Sequence, residues 1–135
     1  MKKQMILLAL LCTSVFLPGT SLQAQPQPQS QGEPDKTAET IYKNLMSATE
    51  SNNYEAFMAE SDPGMRTALT KPMLASASDQ LSPRMKKGYD SIYLGKLKKA
   101  DNQVYLWKII FKDGGDDILA RLNVKNAKAA GFLLN

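Results

Sequence analysis

The chain has 135 residues, 17 basic and 13 acidic, with no histidine and a single cysteine. A formal net charge of +4 is modest for a nucleic-acid-binding protein, which carries a concentrated basic footprint. Without histidine, Ser–His–Asp and Cys–His nucleophile systems are excluded as usually built, and so is the commonest zinc ligand.

Met1-Lys2-Lys3 is a basic start, and residues 5–17, MILLALLCTSVFL, form an apolar run of signal-peptide length. Pro18 and Gly19 break that run, and Ser21-Leu22-Gln23-Ala24 supplies a cleavage site with small Ala24 in last position. Residues 1–24 are therefore expected to be a signal peptide, and the mature protein to be exported, periplasmic or secreted. The run is shorter than the roughly 20 apolar residues a spanning helix needs, so no membrane span is expected after cleavage; a retained anchor is the competing reading. Cys12 follows bulky Leu11, which is wrong for a lipoprotein acylation site, and it is expected to leave with the signal segment. The mature domain then has neither thiol nor disulfide and depends on its core alone. Cleavage also removes Lys2 and Lys3, and export makes a nucleic-acid partner less apt still.

Residues 25–34, QPQPQSQGEP, show no apolar periodicity; alternating proline favours an extended, flexible spacer. Residues 35–135 are enough for one modest domain and too few for two. Asp35 or Thr37 is placed to cap a first helix whose apolar face carries Ala38, Ile41, Tyr42, Leu45, Ala48 and Thr49. Ser51-Asn52-Asn53 ends it, and Asn53 caps a short second helix over 54–59 that buries Phe57 and Met58. Ser61-Asp62-Pro63-Gly64 is a turn signal, with one further helical turn over 65–69. Thr70 precedes a third long helix with Pro72 in its first turn, where proline is tolerated. Met73, Leu74, Ala77, Leu81 and Met85 mark its inner face, and Ser82-Pro83 loosens its end.

The period then changes from helical to two. Strands are expected over 89–98, 103–112, 117–124 and 129–134, joined by turns at 100–102, at the Asp113-Gly114-Gly115-Asp116-Asp117 stretch and at 126–128. In the second strand Tyr105, Trp107, Ile109 and Phe111 form one wholly apolar row, and Val104, Leu106, Lys108, Ile110 and Lys112 form the opposite row. Helices with one apolar stripe each, followed by an antiparallel meander with one strongly apolar face, give an α+β domain with the helices on one side of the sheet.

That order, with "ESNNYEAFMAESDPGM" between the first and third helices and the meander "GYDSIYLGKLKKADNQVYLWKIIFKDGGDDILARLNVKNAKAAGFLLN", resembles the small exported members of the nuclear-transport-factor-2-like (cystatin-like) superfamily. It resembles in particular bacterial families of unassigned function. The resemblance implies three N-terminal helices on the concave face of a curved four-stranded antiparallel sheet, a cystatin-like cone. It also implies frequent homodimerisation through the outer sheet face. It says little of activity, because this superfamily hosts isomerases, dehydratases, binding modules and assembly domains.

The candidate sites follow from the rows. Tyr42, Tyr105, Trp107 and Phe111 would line an apolar small-molecule pocket, with plain core as the competing reading. Val104, Leu106 and Ile110 are the candidate dimer face. The DGGDD stretch lacks the closing glutamate of a helix-loop-helix calcium site, and its glycines suit a hairpin turn; no catalytic residue, metal site or cofactor is assigned. Arg84, Lys86, Lys87, Lys96, Lys98 and Lys99 form a basic concentration fit for an anionic envelope surface or for protecting an edge strand. The preferred reading is an exported non-enzymatic domain that binds a small apolar ligand or a partner protein, as a homodimer. The alternatives are an isomerase- or dehydratase-like enzyme using a buried carboxylate and a tyrosine, and an envelope-associated module using the basic patch.

Overall fold

Helix α1 (Lys36–Ser51) buries Ala38, Ile41, Tyr42, Leu45, Ala48 and Thr49, the stripe its spacing predicts, and Met46 beside it. These coordinates come from a computed structural model that describes residues 32–135. The expected signal peptide with Cys12 and Ala24, and the spacer up to Gln31, lie outside the described residues. The helix ends where Asn52 turns left-handed at φ 52° and returns its backbone N–H to the last carbonyls, a conformation asparagine tolerates better than most residues. Asn53 then caps α2 (Tyr54–Glu60), its side-chain oxygen accepting from the Ala56 N–H. Phe57 is buried there, whereas Met58 is only partly so.

The single turn expected after Asp62-Pro63 is a helix in its own right, so the domain has four helices and not three. Asp62 accepts from the Met65 N–H and Pro63 occupies the first turn of α3 (Pro63–Ala68); a capped start with proline already at helical φ is what nucleates so short an element. Thr70 caps α4 (Lys71–Lys86), which buries Leu74, Ser78, Ser82 and Met85. Met73, expected inward, is 53% exposed: it lies one position before Leu74, and the inward stripe runs through Leu74. Pro83 does not end the helix, which continues to Lys86. The Ser82 hydroxyl donates to the Glu50 carbonyl at 2.7 Å and Met85 is buried, so tertiary anchors on both sides of Pro83 offset its missing backbone donor.

The four strands are β1 (Tyr89–Lys99), β2 (Asn102–Phe111), β3 (Ile118–Lys125) and β4 (Lys128–Leu134). They form an open antiparallel sheet in the order β1-β2-β3-β4. Register sets the two faces. Tyr93, Trp107 and Ala120 pair across the first three strands, and Tyr105, Leu122 and Phe132 across the last three. These rows meet the helices in one hydrophobic cluster with Ile41, Tyr42, Leu45, Phe57 and Leu74. Two irregularities bend the ladder. An extra residue sits at Leu94 before Gly95, whose φ is 133°, and another at Ala130 opposite the Asn123/Val124 step. Bulges of this kind raise local twist.

Candidate functional site

The aromatic row is where a pocket was expected, and it is filled. Tyr42, Tyr105, Trp107 and Phe111 are each no more than 4% exposed. Tyr42 of α1 lies flat on Trp107, with ring centroids 4.0 Å apart and planes 8° apart. Tyr93 and Tyr105 approach the same indole at 5.5 and 6.2 Å, and Phe132 meets Tyr42 edge-on. Offset and edge contacts of this kind are favourable beyond the area they bury. Burial pushes the Tyr42 phenol up to about 12, offset in part by its hydrogen bond with Ser91 at 2.6 Å. Phe111 is closed from the other side by the Arg84 guanidinium, 3.8 Å above its ring. The structure thus places the expected residues together in the buried core.

Surface grooves are present as well, two of them, of about 570 and 480 Å³, between the end of α1 and α4. Another of about 400 Å³ runs along Tyr42, Met46, Tyr89 and Ser91 between α1 and β1. An apolar one of about 250 Å³ lies between α3, the start of α4 and β4, lined by Met65, Leu69, Met73 and Phe132. This last one is smaller than the ~300 Å³ at which small-molecule sites usually begin.

A carboxylate–tyrosine pair does exist, in a place the strand pattern does not indicate. Tyr105 donates its hydroxyl to Asp35, and Lys96 donates to the same carboxylate oxygen at 3.1 Å. Asp35 precedes α1 yet makes no side-chain cap bond, because its carboxylate is turned to the sheet. The Tyr105 hydroxyl and then the Lys96 ammonium hold the Asp35 carboxyl below its ordinary range. Burial, and then the hydrogen bond to Asp35, push the Tyr105 phenol up. A general base at neutral pH needs the opposite shift, and this carboxylate is largely open to solvent. The arrangement is a latch between the start of α1 and the sheet. No spacing rule reaches a contact between Asp35 and Tyr105, so only the helix-start signal at Asp35 was readable.

The DGGDD stretch is the loop between β2 and β3, and its role is mechanical. Arg84 forks onto Asp113, with Nε at 2.7 Å and Nη2 at 3.3 Å, and reaches the Asp116 carbonyl at 2.8 Å. The Gly115 N–H closes on Asp113 at 2.8 Å, and Gly114 takes φ 80°. Arg84 and then the Gly115 amide hold the Asp113 carboxyl down at about 2. Lys108 pairs with Asp117 at 3.0 Å. Among the described residues no group of acidic side chains is placed to hold a metal ion.

The outer sheet face is the remaining candidate. Of the three residues expected to form it, Leu106 and Ile110 are half-buried, while Val104, flanked in register by Leu97 and Asn123, is 4% exposed and contributes no open surface. The accessible apolar side chains are on the edge strands instead: Ile92, Leu94 and Leu97 on β1 and Leu133 on β4, each 40–48% exposed. They belong to the rows that alternate with the core rows, and none of them is in the core cluster. The bulge at Leu94 adds a second apolar residue to this face beside Ile92.

The basic concentration divides in two. Arg84, Lys86 and Lys87 sit at the C-terminal end of α4, before β1 begins, and Lys96, Lys98 and Lys99 sit at the far end of that strand, roughly 30 Å away at ~3.3 Å per residue. Comparisons with family models, with curated proteins and with solved structures found no match.

Proposed function

We propose that this chain is an exported, non-enzymatic binding domain of the cystatin-like type, which pairs with a second copy through the outer face of its sheet. The observation that carries this is the exposed apolar set Ile92, Leu94, Leu97 and Leu133, on one face with half-buried Leu106 and Ile110 and interrupted by Lys108, which pairs with Ile92, and by Arg121, which pairs with Leu106 and Leu133. Several exposed apolar side chains on a sheet whose other side is already packed, edged by charged ones, mark an interaction site. The two bulges support a curved sheet, and the helices on one side of it support the cone. The signal-like residues 1–24 support export.

Size argues for a weak pair. Four strands at ~4.8 Å spacing and about eight paired residues at ~3.3 Å rise give roughly 500 Å² of projected face per copy. Two such faces bury about 1,000 Å², the lower limit of specific association. The pair therefore dissociates on dilution. A small apolar ligand is the weaker reading, because the aromatic row is filled and the apolar groove by Met73 is small. A carboxylate–tyrosine enzyme is weaker again, because Asp35 is held too acidic.

The test is an NMR dilution series on the chain from Gln25 onward. The reading expects amide shifts that move with concentration at Ile92, Leu97, Leu106 and Leu133 and stay fixed at Leu45 and Leu74. Concentration-independent spectra, or shifts confined to the helices, would sink it.

A further inference from the structure

The end of the sheet that carries the β1–β2 and β3–β4 turns gathers lysines that the sequence scatters. Lys98 pairs in register with Gln103, which pairs with Val124, which pairs with Ala129. One row across the sheet thus brings Lys98 and Lys99 of the first hairpin within about 15 Å of Lys125 and Lys128 of the second, at ~4.8 Å per strand. All four are exposed. Lys125 and Lys128 face each other directly across the β3–β4 ladder, where like charges oppose folding. Lys99 faces Asn102, and Lys98 faces Gln103, with no carboxylate in register. Among the described residues none of Lys98, Lys99 and Lys125 has an acidic partner, and Lys128 donates to the Ala59 carbonyl at 2.9 Å. Most nearby carboxylates are engaged: Asp35 holds Lys96, Glu60 accepts from Asn44 and Asp62 accepts from the Met65 N–H, which leaves Glu33, ahead of Asp35, and Asp101, in the first turn.

The chain enters the domain at this end. Asp35, three residues after Gly32, is fastened to Tyr105 and Lys96, and Lys96 is three residues before the end of β1.

We infer that the turn-bearing end of the sheet is a docking surface for an anionic phospholipid bilayer. The ammonium groups of Lys98, Lys99, Lys125 and Lys128, none of them paired with a carboxylate among the described residues, meet the headgroup phosphates there. Lysine suits this partner: it is a compact, hydrated point charge that contacts phosphates without a fixed geometry. A juxtamembrane basic cluster binds in just this way and acts within about one Debye length, ~10 Å at 0.1 M salt.

The experiment uses the full chain and vesicle co-flotation, with phosphatidylglycerol-containing vesicles compared against pure phosphatidylcholine. The phosphatidylcholine arm subtracts the apolar run's own affinity. One variant combines Lys98→Gln, Lys99→Gln and Lys125→Gln; a control of equal charge combines Lys43→Gln, Lys71→Gln and Lys86→Gln. At about 1 kcal/mol per lysine near the surface, the first variant lowers the preference for the anionic vesicles roughly 100-fold and the control leaves it nearly unchanged. Equal loss in both variants overturns the inference, because net charge and not this surface would then be responsible. Wild-type binding no tighter to the anionic vesicles also overturns it and leaves the lysines to an acidic protein or to edge protection. Unchanged far-ultraviolet circular dichroism in both triple variants shows that neither result comes from misfolding.

Discussion

Replacing Trp107 by alanine tests most sharply whether the aromatic row is core or pocket. Trp107 is 3% exposed and its indole face is covered by Tyr42 at 4.0 Å, with Tyr93 and Tyr105 against it. A packed tryptophan truncated to alanine costs about 3–5 kcal/mol, the transfer loss plus a cavity that rigid neighbours cannot close. The neighbours here belong to α1, β1 and β2, elements tied by the Tyr42–Ser91 and Tyr105–Asp35 hydrogen bonds, so the site has little freedom to collapse. Against a typical total of about 5–15 kcal/mol, Trp107→Ala leaves a marginal domain. With a urea slope near 1.5 kcal/mol/M, the midpoint falls by roughly 2–3 M. The assay is urea unfolding followed by circular dichroism, since Trp107 is the single tryptophan and its removal silences fluorescence. Indole added to the variant should recover part of the loss by occupying the vacated space. A midpoint shift below about 0.5 M, the effect of a substitution away from any packed feature, would refute the reasoning and return the row to the status of an open ligand site.

Two further outcomes follow from local geometry. Ala127 sits in the β3–β4 turn at φ 60° behind Asn126 at φ 51°, so Ala127→Gly relieves about 1–2 kcal/mol of left-handed strain. Unfolded-chain entropy returns up to about 1 kcal/mol of that, and thermal melting should rise by roughly 4 °C. Asp113 titrates at about 2, below the ~3.9 of an unfolded aspartate. Its folded form is therefore favoured fully above the unfolded value, and that contribution is lost as pH falls through the folded one. Carbon-13 NMR of its carboxyl should show that midpoint, and Arg84→Ala should move it up toward the ordinary value.

Local signals were readable wherever a single residue determined a local conformation. Asn53 caps as expected, Thr70 directly precedes its helix and caps it, and the period-two pattern around Trp107 gives both faces of β2. Asp62-Pro63 was read as a turn because a six-residue helix leaves too little periodicity to detect, although the cap that starts it was in view. The Asp35 latch and the Arg84 fork join residues far apart in sequence, and no pattern in either partner's neighbourhood encodes the other. Register likewise governs the outer face. One inserted residue at Leu94 and one at Ala130 shift which side chains stand out, so the open apolar surface moved from Val104 to the edge strands. The basic stretch read as one patch was split by the length of β1, while Lys125 and Lys128 joined it through a second hairpin.

Sedimentation equilibrium of the chain from Gln25 onward tests the proposed pairing most directly. Wild type should pass from monomer to dimer with rising concentration. Ile92→Asp with Leu133→Asp, at opposite edges of the outer face, should stay monomeric, and Met73→Asp on the helical side should behave as wild type. A monomer at every concentration, or a dimer that survives the paired outer-face substitutions and yields to Met73→Asp, would contradict the account.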